Sequence, residues 1–331
     1  MNLSLNEEVI DMDDMNHRRL LIGIAHDYYL SKINIAEISK KYQVSRYLIS
    51  KYLDEAMATG LVKISINTPI ERNGELETKF KKQFPIDHIY IIKDADTTSD
   101  DERHVIQFAA EEIQHQILQS QIIGVAWGGT VLSVIDNFQI STRDDLLFTQ
   151  FMGDNLKTNA ANGSTPLVQK AAAKFSAKYV TIPAPLYLFN DRAHQALAQE
   201  PAITPAISNF DRMDMLFAGI GTLASIDSIP VWKAHQQAIL GGADPEAVAG
   251  MLYGRPYDIN GRILNTDHDK LFGAKMAAIL KVPRRFGVIK SKFKSKALLG
   301  ALRGHLLTDI IIDEAVANRV LQEDQATPLQ S

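Results

Sequence analysis

The residues best suited to chemistry fall in four short segments. In Gly124-Val125-Ala126-Trp127-Gly128-Gly129-Thr130 an apolar strand runs into glycines and a threonine, and a helix follows. Glycine lets a ligand approach the backbone, and the free amides of a new helix attract a phosphate or sugar hydroxyls. Phe151-Met152-Gly153-Asp154-Asn155 and Ala218-Gly219-Ile220-Gly221-Thr222 end two further apolar runs. Lys290-Ser291-Lys292-Phe293-Lys294-Ser295-Lys296 follows a fourth and opens a helix carrying Arg303. Strand ends of one open α/β sheet converge on one crevice, so these segments can build a pocket for a small hydroxylated or anionic molecule. Each has a plainer reading. The glycine turn is equally a tight strand-to-helix connection, and at least two of the four lysines read as a solvated loop.

A second chemistry lies near the amino terminus. Residues 17–66 hold eight Lys/Arg against four acids, although the whole chain carries a net −4. A local basic surface is what phosphate backbone requires, whatever the total charge. In the stretch after Ser45, the residues Arg46, Tyr47, Ser50 and Lys51 fall on the outward face of a helix. Arg and Lys donate to guanine edges or phosphates, and Ser serves either. Lys40, Lys41, Arg18 and Arg19 suit contacts to the DNA backbone. The alternative is a three-helix module with a solvated charged face.

Other chemistries are poorly supplied. There is no cysteine, which excludes disulfides and thiolate sites and fits a reducing cytoplasm. The nine histidines are scattered without metal-ligand spacing, so no metal is expected. Gly219-Ile220-Gly221 lacks the third glycine of a dinucleotide fingerprint, so no cofactor is expected. Asp267-His268-Asp269 reads as a solvated polar loop, and the Trp232 region as packing. No apolar run is long enough to span a bilayer, and the acidic first residues do not resemble a secretory signal.

The elements that position these residues follow from periodicity. Helical spacing of Leu21, Ile24, Ala25 and Tyr28 predicts a helix over 18–30. A short helix over 35–42 buries Ile35, Ile38 and Tyr42, and Gln43-Val44 makes a tight turn. A third helix, capped by Ser45 and stopped by Gly60, turns Leu48, Ile49, Tyr52, Leu53 and Ala56 inward. Residues 61–66 alternate like a strand that begins a wing, completing a winged helix-turn-helix pattern. The polar stretch 67–75 reads as a linker, and 75–84 as an amphipathic helix. Strand-like runs follow at 88–94, 122–127, 146–152, 179–183, 215–221, 285–291 and 308–314. Helical segments at 102–118, 130–138, 165–178, 192–199, 244–252, 295–303 and 314–322 separate most of them, which predicts an α/β domain on a mostly parallel sheet.

From about residue 18 to 322 the chain resembles the SorC family of bacterial sugar-responsive regulators. The carriers are LLIGIAHDYYLSKINIAEISKKYQVSRYLISKYLDEAMATGLVKISI, IGVAWGGT, IPAPLY, MDMLFAGIGT, DINGRIL and, most specific, KALLGALRGHLLTDIIIDEAVANRVL. The resemblance implies a Rossmann-like sugar-binding domain similar to glucosamine-6-phosphate deaminase and ribose-5-phosphate isomerase. It implies a homo-oligomer, tetramer or dimer, that answers to a sugar or sugar phosphate. It implies an effector over Gly128, Gly129 and Thr130, with further contacts from the segments of Gly153 with Asp154, Gly221 and Lys296. The chain departs from the family pattern where Gly129 and Met152 stand for arginines, Met251 for an acid and Lys292-Phe293 for a glycine pair. Ser39 and Gln43 stand for the usual Ala and Gly of the DNA-binding turn.

The expected organisation is an acidic extension (1–16), a helix-turn-helix domain (17–66), a linker (67–75), a sugar-binding and oligomerisation domain (76–322) and a polar tail (323–331). The expected function is that of a cytoplasmic DNA-binding regulator of a carbohydrate operon, with operator DNA and a sugar as partners and no enzymatic activity. Two other readings stay open on the residues alone. One is a sugar-phosphate isomerase or deaminase with an accessory domain, against which stands the lack of a general base beside the crevice. The other is a regulator that works through protein contacts with a vestigial crevice.

Overall fold

The computed structural model describes residues 4–62, 70–95, 97–155 and 166–328, with side chains from Met15 onward. The chain divides into two compact units, Met1–Pro69 and Ile70–Ser331.

In the first unit the opening helix is longer than periodicity predicted: it runs Ser4–Ala25 and continues as a π-helical turn, His26–Leu30. The acidic stretch is therefore helical from residue 4. It holds no Pro or Gly to interrupt a helix. The helices Ile35–Tyr42 and Arg46–Ala58 follow, each capped by a side chain. Asn34 accepts from the Glu37 amide and Ser45 from the Leu48 amide. Gln43 makes the tight turn between them in the left-handed region, at φ 57°. Ile24, Ala25, Ile38, Ile49, Leu53 and Ala56 form the buried core, and each fully covered isoleucine contributes roughly 2 kcal/mol of transfer free energy. Asp27 is also buried, and Lys41 holds its carboxylate at 2.7 Å. Leu61 and Val62 lie in a bend packed on this core, while 63–66 of the expected wing strand and 67–69 of the expected linker lie outside the described residues.

The second unit is a seven-stranded sheet with helices. Its strands are β1 (His88–Ile92), β2 (Ile122–Val125), β3 (Leu147–Gln150), β4 (Lys178–Val180) and β5 (Met215–Gly219), and later in the chain β8 (Arg284–Val288) and β9 (Asp309–Asp313). Between them a small antiparallel pair forms, β6 (Gly250–Leu252) with β7 (Arg255–Tyr257). The order is β1-β9-β8-β5-β2-β3-β4, and every pairing in the large sheet is parallel. All five residues of β9 are buried, so both faces of the sheet are covered there, as its unbroken apolar run requires.

The two borders of the sheet differ. Segment 71–73 lies along β1, with Arg72 bridging Ile92, the Asn73 amide donating to Ile91 and the Lys93 amide to Glu71. β4 has no strand on its outer side among the described residues, and its first two residues are exposed.

The connections fix the position of the site. From β2 the chain moves outward through β3 to β4, then returns to place β5 on the other side of β2, and continues through β8 to β9. The direction of winding thus reverses between β2 and β5. At such a reversal the two outgoing loops leave on opposite sides and a crevice opens at the carboxyl strand ends.

One expected element is replaced. Residues 244–252 form a 3-10 turn at Pro245–Ala247 followed by β6, where a helix was predicted. The turn residues Tyr253 and Gly254 both have positive φ, 53° and 73°, as a two-residue hairpin connection requires. The hairpin docks on the end of β5 through paired amide bonds between Gly221 and Met251.

Candidate functional site

A cavity of about 420 Å³ sits at the winding reversal, within the usual range for small-molecule sites. Gly128, Gly129 and Thr130 line it from the β2 end, and Gly219 and Gly221 from the β5 end. Met152 and Asp154 line it after β3, and Met251, Tyr253 and Gly254 of the hairpin close another side. Gly128 is the N-cap of the Gly129–Asp136 helix, with φ 142°, a conformation that L side chains rarely adopt. A Cβ added at Gly128 or Gly129 would meet no atom within 4 Å. The backbone there is unobstructed, so a ligand can reach the helix amides.

Of the sequence-derived effector residues, Gly128, Gly129, Thr130, Asp154 and Gly221 are brought together around the cavity. Two are not. Gly153 is packed shut: a Cβ there would collide with the Pro185 and Ala184 carbonyls, and its amide donates to Phe272. Its smallness serves close chain approach, and its neighbours Met152 and Asp154 reach the cavity instead. Lys296 is exposed and does not line the cavity; Lys294 does. The lysine-rich segment winds into a 3-10 turn, Lys292–Lys294, before the helix Ser295–Arg303 begins. Two residues of helix amount to about 200° of rotation, which turns Lys296 away from the face that Lys294 presents. Lys290 is held by Glu102 at 2.7 Å.

Lys294 donates to the Ile220 carbonyl at 2.6 Å and forms no ion pair among the described residues. Burial and the nearby Lys290 hold its ammonium below the ordinary lysine range. An ammonium without an ion pair among the described residues, lining a small cavity, suits an oxygen-rich or anionic ligand.

The far wall is aromatic. Trp127 and Trp232 pack with centroids 5.7 Å apart, and Tyr187 meets Trp232 edge-on at 5.1 Å. Trp232 packs as expected, being 3% exposed, and it also lines the cavity, a placement without a signal in residue spacing. The Tyr187 hydroxyl donates to Gly254, and burial pushes it far above its ordinary range, so it stays neutral. Behind the hairpin, Arg255 is buried, pairs with Asp269 at 2.7 Å and donates to the Ala274 carbonyl at 2.9 Å. Asp269 is therefore fixed, where a solvated loop was expected. No histidine lines the cavity, and Asp154 is its one carboxylate among the described residues. No cluster of metal-ligating side chains occurs among the described residues.

In the first unit, Arg46, Tyr47, Ser50 and Lys51 are all exposed on the helix Arg46–Ala58, and Tyr47 retains 77% of its surface. Arg46, Lys51 and Lys40 form no ion pair among the described residues, so their charges are available to an anionic partner. Lys41 differs, because its ammonium is engaged by Asp27.

Residues 68–322 match the sugar-binding family described as "Putative sugar-binding domain". Over 320 residues the chain is 24% identical to the sorbitol operon regulator of Klebsiella pneumoniae, covering 94% of this chain and 100% of that one. It is 22% identical over 330 residues to the transcriptional regulator LsrR of Escherichia coli K12, covering 97% of this chain and 100% of LsrR. Among solved structures, full-length SorC of K. pneumoniae has a TM-score of 0.64 at 24% identity, covering 92% of this chain and 98% of that one. A DeoR family transcriptional regulator from Listeria monocytogenes has a TM-score of 0.63 at 18% identity, covering 74% of this chain and 98% of that one. The class is thus a transcriptional regulator with an α/β ligand domain, and not an enzyme. The chain belongs to the sugar-binding-domain family, as a sugar-responsive regulator of the SorC type.

Proposed function

We propose that this regulator reads operator DNA with the helix Arg46–Ala58 and controls a sugar or polyol catabolic operon in response to a carbohydrate held in the crevice. Arg46, Tyr47, Ser50 and Lys51 enter the major groove as part of a winged helix-turn-helix, and Lys40 contacts the phosphate backbone. Lys41, engaged by Asp27, orients the helix Ile35–Tyr42 and adds at most a weak phosphate contact. The effector, a sugar or sugar phosphate, rests over Gly128, Gly129 and Thr130 of a Rossmann-like domain, with Asp154, Gly221 and Lys294 around it. The protein acts in the cytoplasm as a homo-oligomer, dimer or tetramer, whose symmetry matches paired half-sites. No described helix is long and apolar enough to cross a membrane.

One observation carries this reading: the open cavity at the winding reversal, with unobstructed backbone at Gly128 and Gly129. The sugar shifts operator affinity only to the extent that it binds one arrangement of the protein better than another. The test is fluorescence anisotropy of the full-length protein on the DNA upstream of its own operon, at low salt, with and without carbohydrates. Saturable binding that a sugar shifts is expected, and Thr130→Leu should abolish the shift while leaving DNA binding intact. Absence of binding under all conditions would overturn the reading, and a sugar response that survives Thr130→Leu would misplace the pocket.

A further inference from the structure

The helix Gly74–Gln83 opens the second unit, and its inner side is committed to the fold. Phe80 is buried in the core, and Leu76 packs against it. Arg72 clasps Glu77 at 2.6 Å, and the Asn73 side chain accepts from the Leu76 amide, so the helix is fixed at its start. The outer side is a different matter. Lys79, Lys81 and Lys82 are exposed there and form no ion pair among the described residues. At about 100° per residue, Thr78, Lys82, Glu75 and Lys79 follow one another around a single face, with Lys81 at its margin. Lys81 and Lys82 stand in the last turn, where cations favour the helix dipole, but Lys79 does not. Residues 70–331 hold 27 Lys/Arg against 30 acids, so a face with three lysines and Glu75 as its single acid runs against its surroundings.

We infer that this face is a second DNA-binding surface, which grips the phosphate backbone in the duplex flanking the half-site that the helix Arg46–Ala58 reads. This rests on the operator reading given above and adds a contact outside the first unit. Long cations on one fixed helix suit a row of phosphates, which asks for charge and reach and not for base-specific geometry. Twelve positions separate Val62 from Gly74, a chain span of at most about 40 Å, or roughly twelve base pairs of duplex. The tether alone therefore keeps the three lysines near the DNA that the first unit holds. That proximity favours phosphate over the other anionic partner such charges could draw, an acidic segment of a second copy.

The test uses the full-length protein and two duplexes from the DNA upstream of its own operon. One is the footprinted operator trimmed to its half-sites, and the other keeps about ten base pairs, one helical turn, of native flank on each side. Binding is followed by fluorescence anisotropy across a salt series. The unaltered protein is compared with a variant combining Lys79→Gln, Lys81→Gln and Lys82→Gln. A control variant combining Lys178→Gln, Lys275→Gln and Lys281→Gln removes the same charge from exposed lysines elsewhere in the second unit. The chain has no cysteine, so Thr78→Cys offers a single attachment point on the face for an iron-EDTA group, which cuts nearby DNA backbone.

Expected is that the unaltered and control proteins bind the flanked duplex about tenfold more tightly than the trimmed one, and that the Lys79/Lys81/Lys82 variant binds both alike. Its log–log salt slope on the flanked duplex should be shallower by about 2–3 per bound protomer. The tethered iron should cut within the flanks, and unfolding midpoints and oligomeric state should be unchanged. A flank gain that is absent from the unaltered protein, survives in the Lys79/Lys81/Lys82 variant or is lost equally in the control refutes the inference and leaves the operator reading standing. So do cuts confined to the half-sites. Dissociation of the oligomer by the Lys79/Lys81/Lys82 changes, with the flank gain kept, would assign the face to a protein partner and refute it too. If the unaltered protein binds neither duplex, the operator reading falls and takes this inference with it.

Discussion

The two surfaces that meet partners are built in opposite ways. The helix Arg46–Ala58 presents exposed side chains, with Arg46 and Lys51 unpaired among the described residues. The crevice presents backbone, small residues and locked aromatics, and the charges behind it are fixed by partners such as Asp269 on Arg255. A long exposed cation keeps its hydration and adapts to a phosphate lattice, but its attraction is screened by salt. A crevice built of backbone is selective and rigid, and it tolerates little change. The contrast teaches that substitutions on the two surfaces should fail differently, one through affinity and the other through folding.

The largest effect should come from behind the crevice. Arg255→Leu removes the partner of Asp269 and the donor to Ala274, and should cost about 3–5 kcal/mol in urea unfolding of the second unit. A loss below about 1 kcal/mol would show the charges behind the hairpin to be dispensable and break the contrast. Next comes a pair of glycines, Gly129 lining the crevice and Gly153 packed shut beside it. Gly153→Ala drives a methyl into the Pro185 and Ala184 carbonyls and should cost about 1–3 kcal/mol, whereas Gly129→Ala meets open space and should stay within about 0.5 kcal/mol. Equal melting temperatures for the two would contradict the packing described.

On the reading surface, Arg46→Ala and Lys51→Ala should each weaken operator binding by about 1–3 kcal/mol and flatten its salt dependence, with urea midpoints unmoved. Loss of stability in place of affinity would put these side chains in the fold. The smallest effect concerns pH. The hydrogen bond from Lys41 holds the Asp27 carboxyl below its ordinary range. The stabilisation is in full force above about pH 4, the unfolded carboxylate value, and is lost as pH falls through the lowered folded value. Asp27→Asn should therefore reduce the acid sensitivity of the first unit, followed by circular dichroism between pH 2 and about 6. An unchanged acid limb would mean the pair adds nothing.

Much of the large sheet was legible because its strands are buried on both faces and read as unbroken apolar runs, such as Ile310-Ile311-Ile312. The glycine turn was legible because few contexts call for two glycines and a threonine after such a run. The hairpin was not. Its strands are three residues each, and its turn is Tyr253-Gly254, without the Asn-Gly or Asp-Gly signature, so 244–252 passes for a helix. The choice between Lys294 and Lys296 depends on where a 3-10 turn gives way to an α-helix, which spacing does not record. Gln43 was legible as a turn residue standing where the resemblance puts a glycine, and the structure adds that it is held at positive φ. The buried Trp127 indole N–H, without a hydrogen-bond partner among the described residues, had no signal in the spacing, since it depends on what surrounds the ring.

The unequal borders of the sheet bear on self-assembly. Since 71–73 lies along β1, the one sheet border without a neighbouring segment among the described residues is β4, where a second molecule could add by backbone pairing. Two molecules joined there by a two-fold axis leave no free strand at either extremity, so the pairing terminates itself and cannot grow into a filament. The shortness of β4, with Lys178 at its start and Pro183 soon after its end, discourages even that encounter.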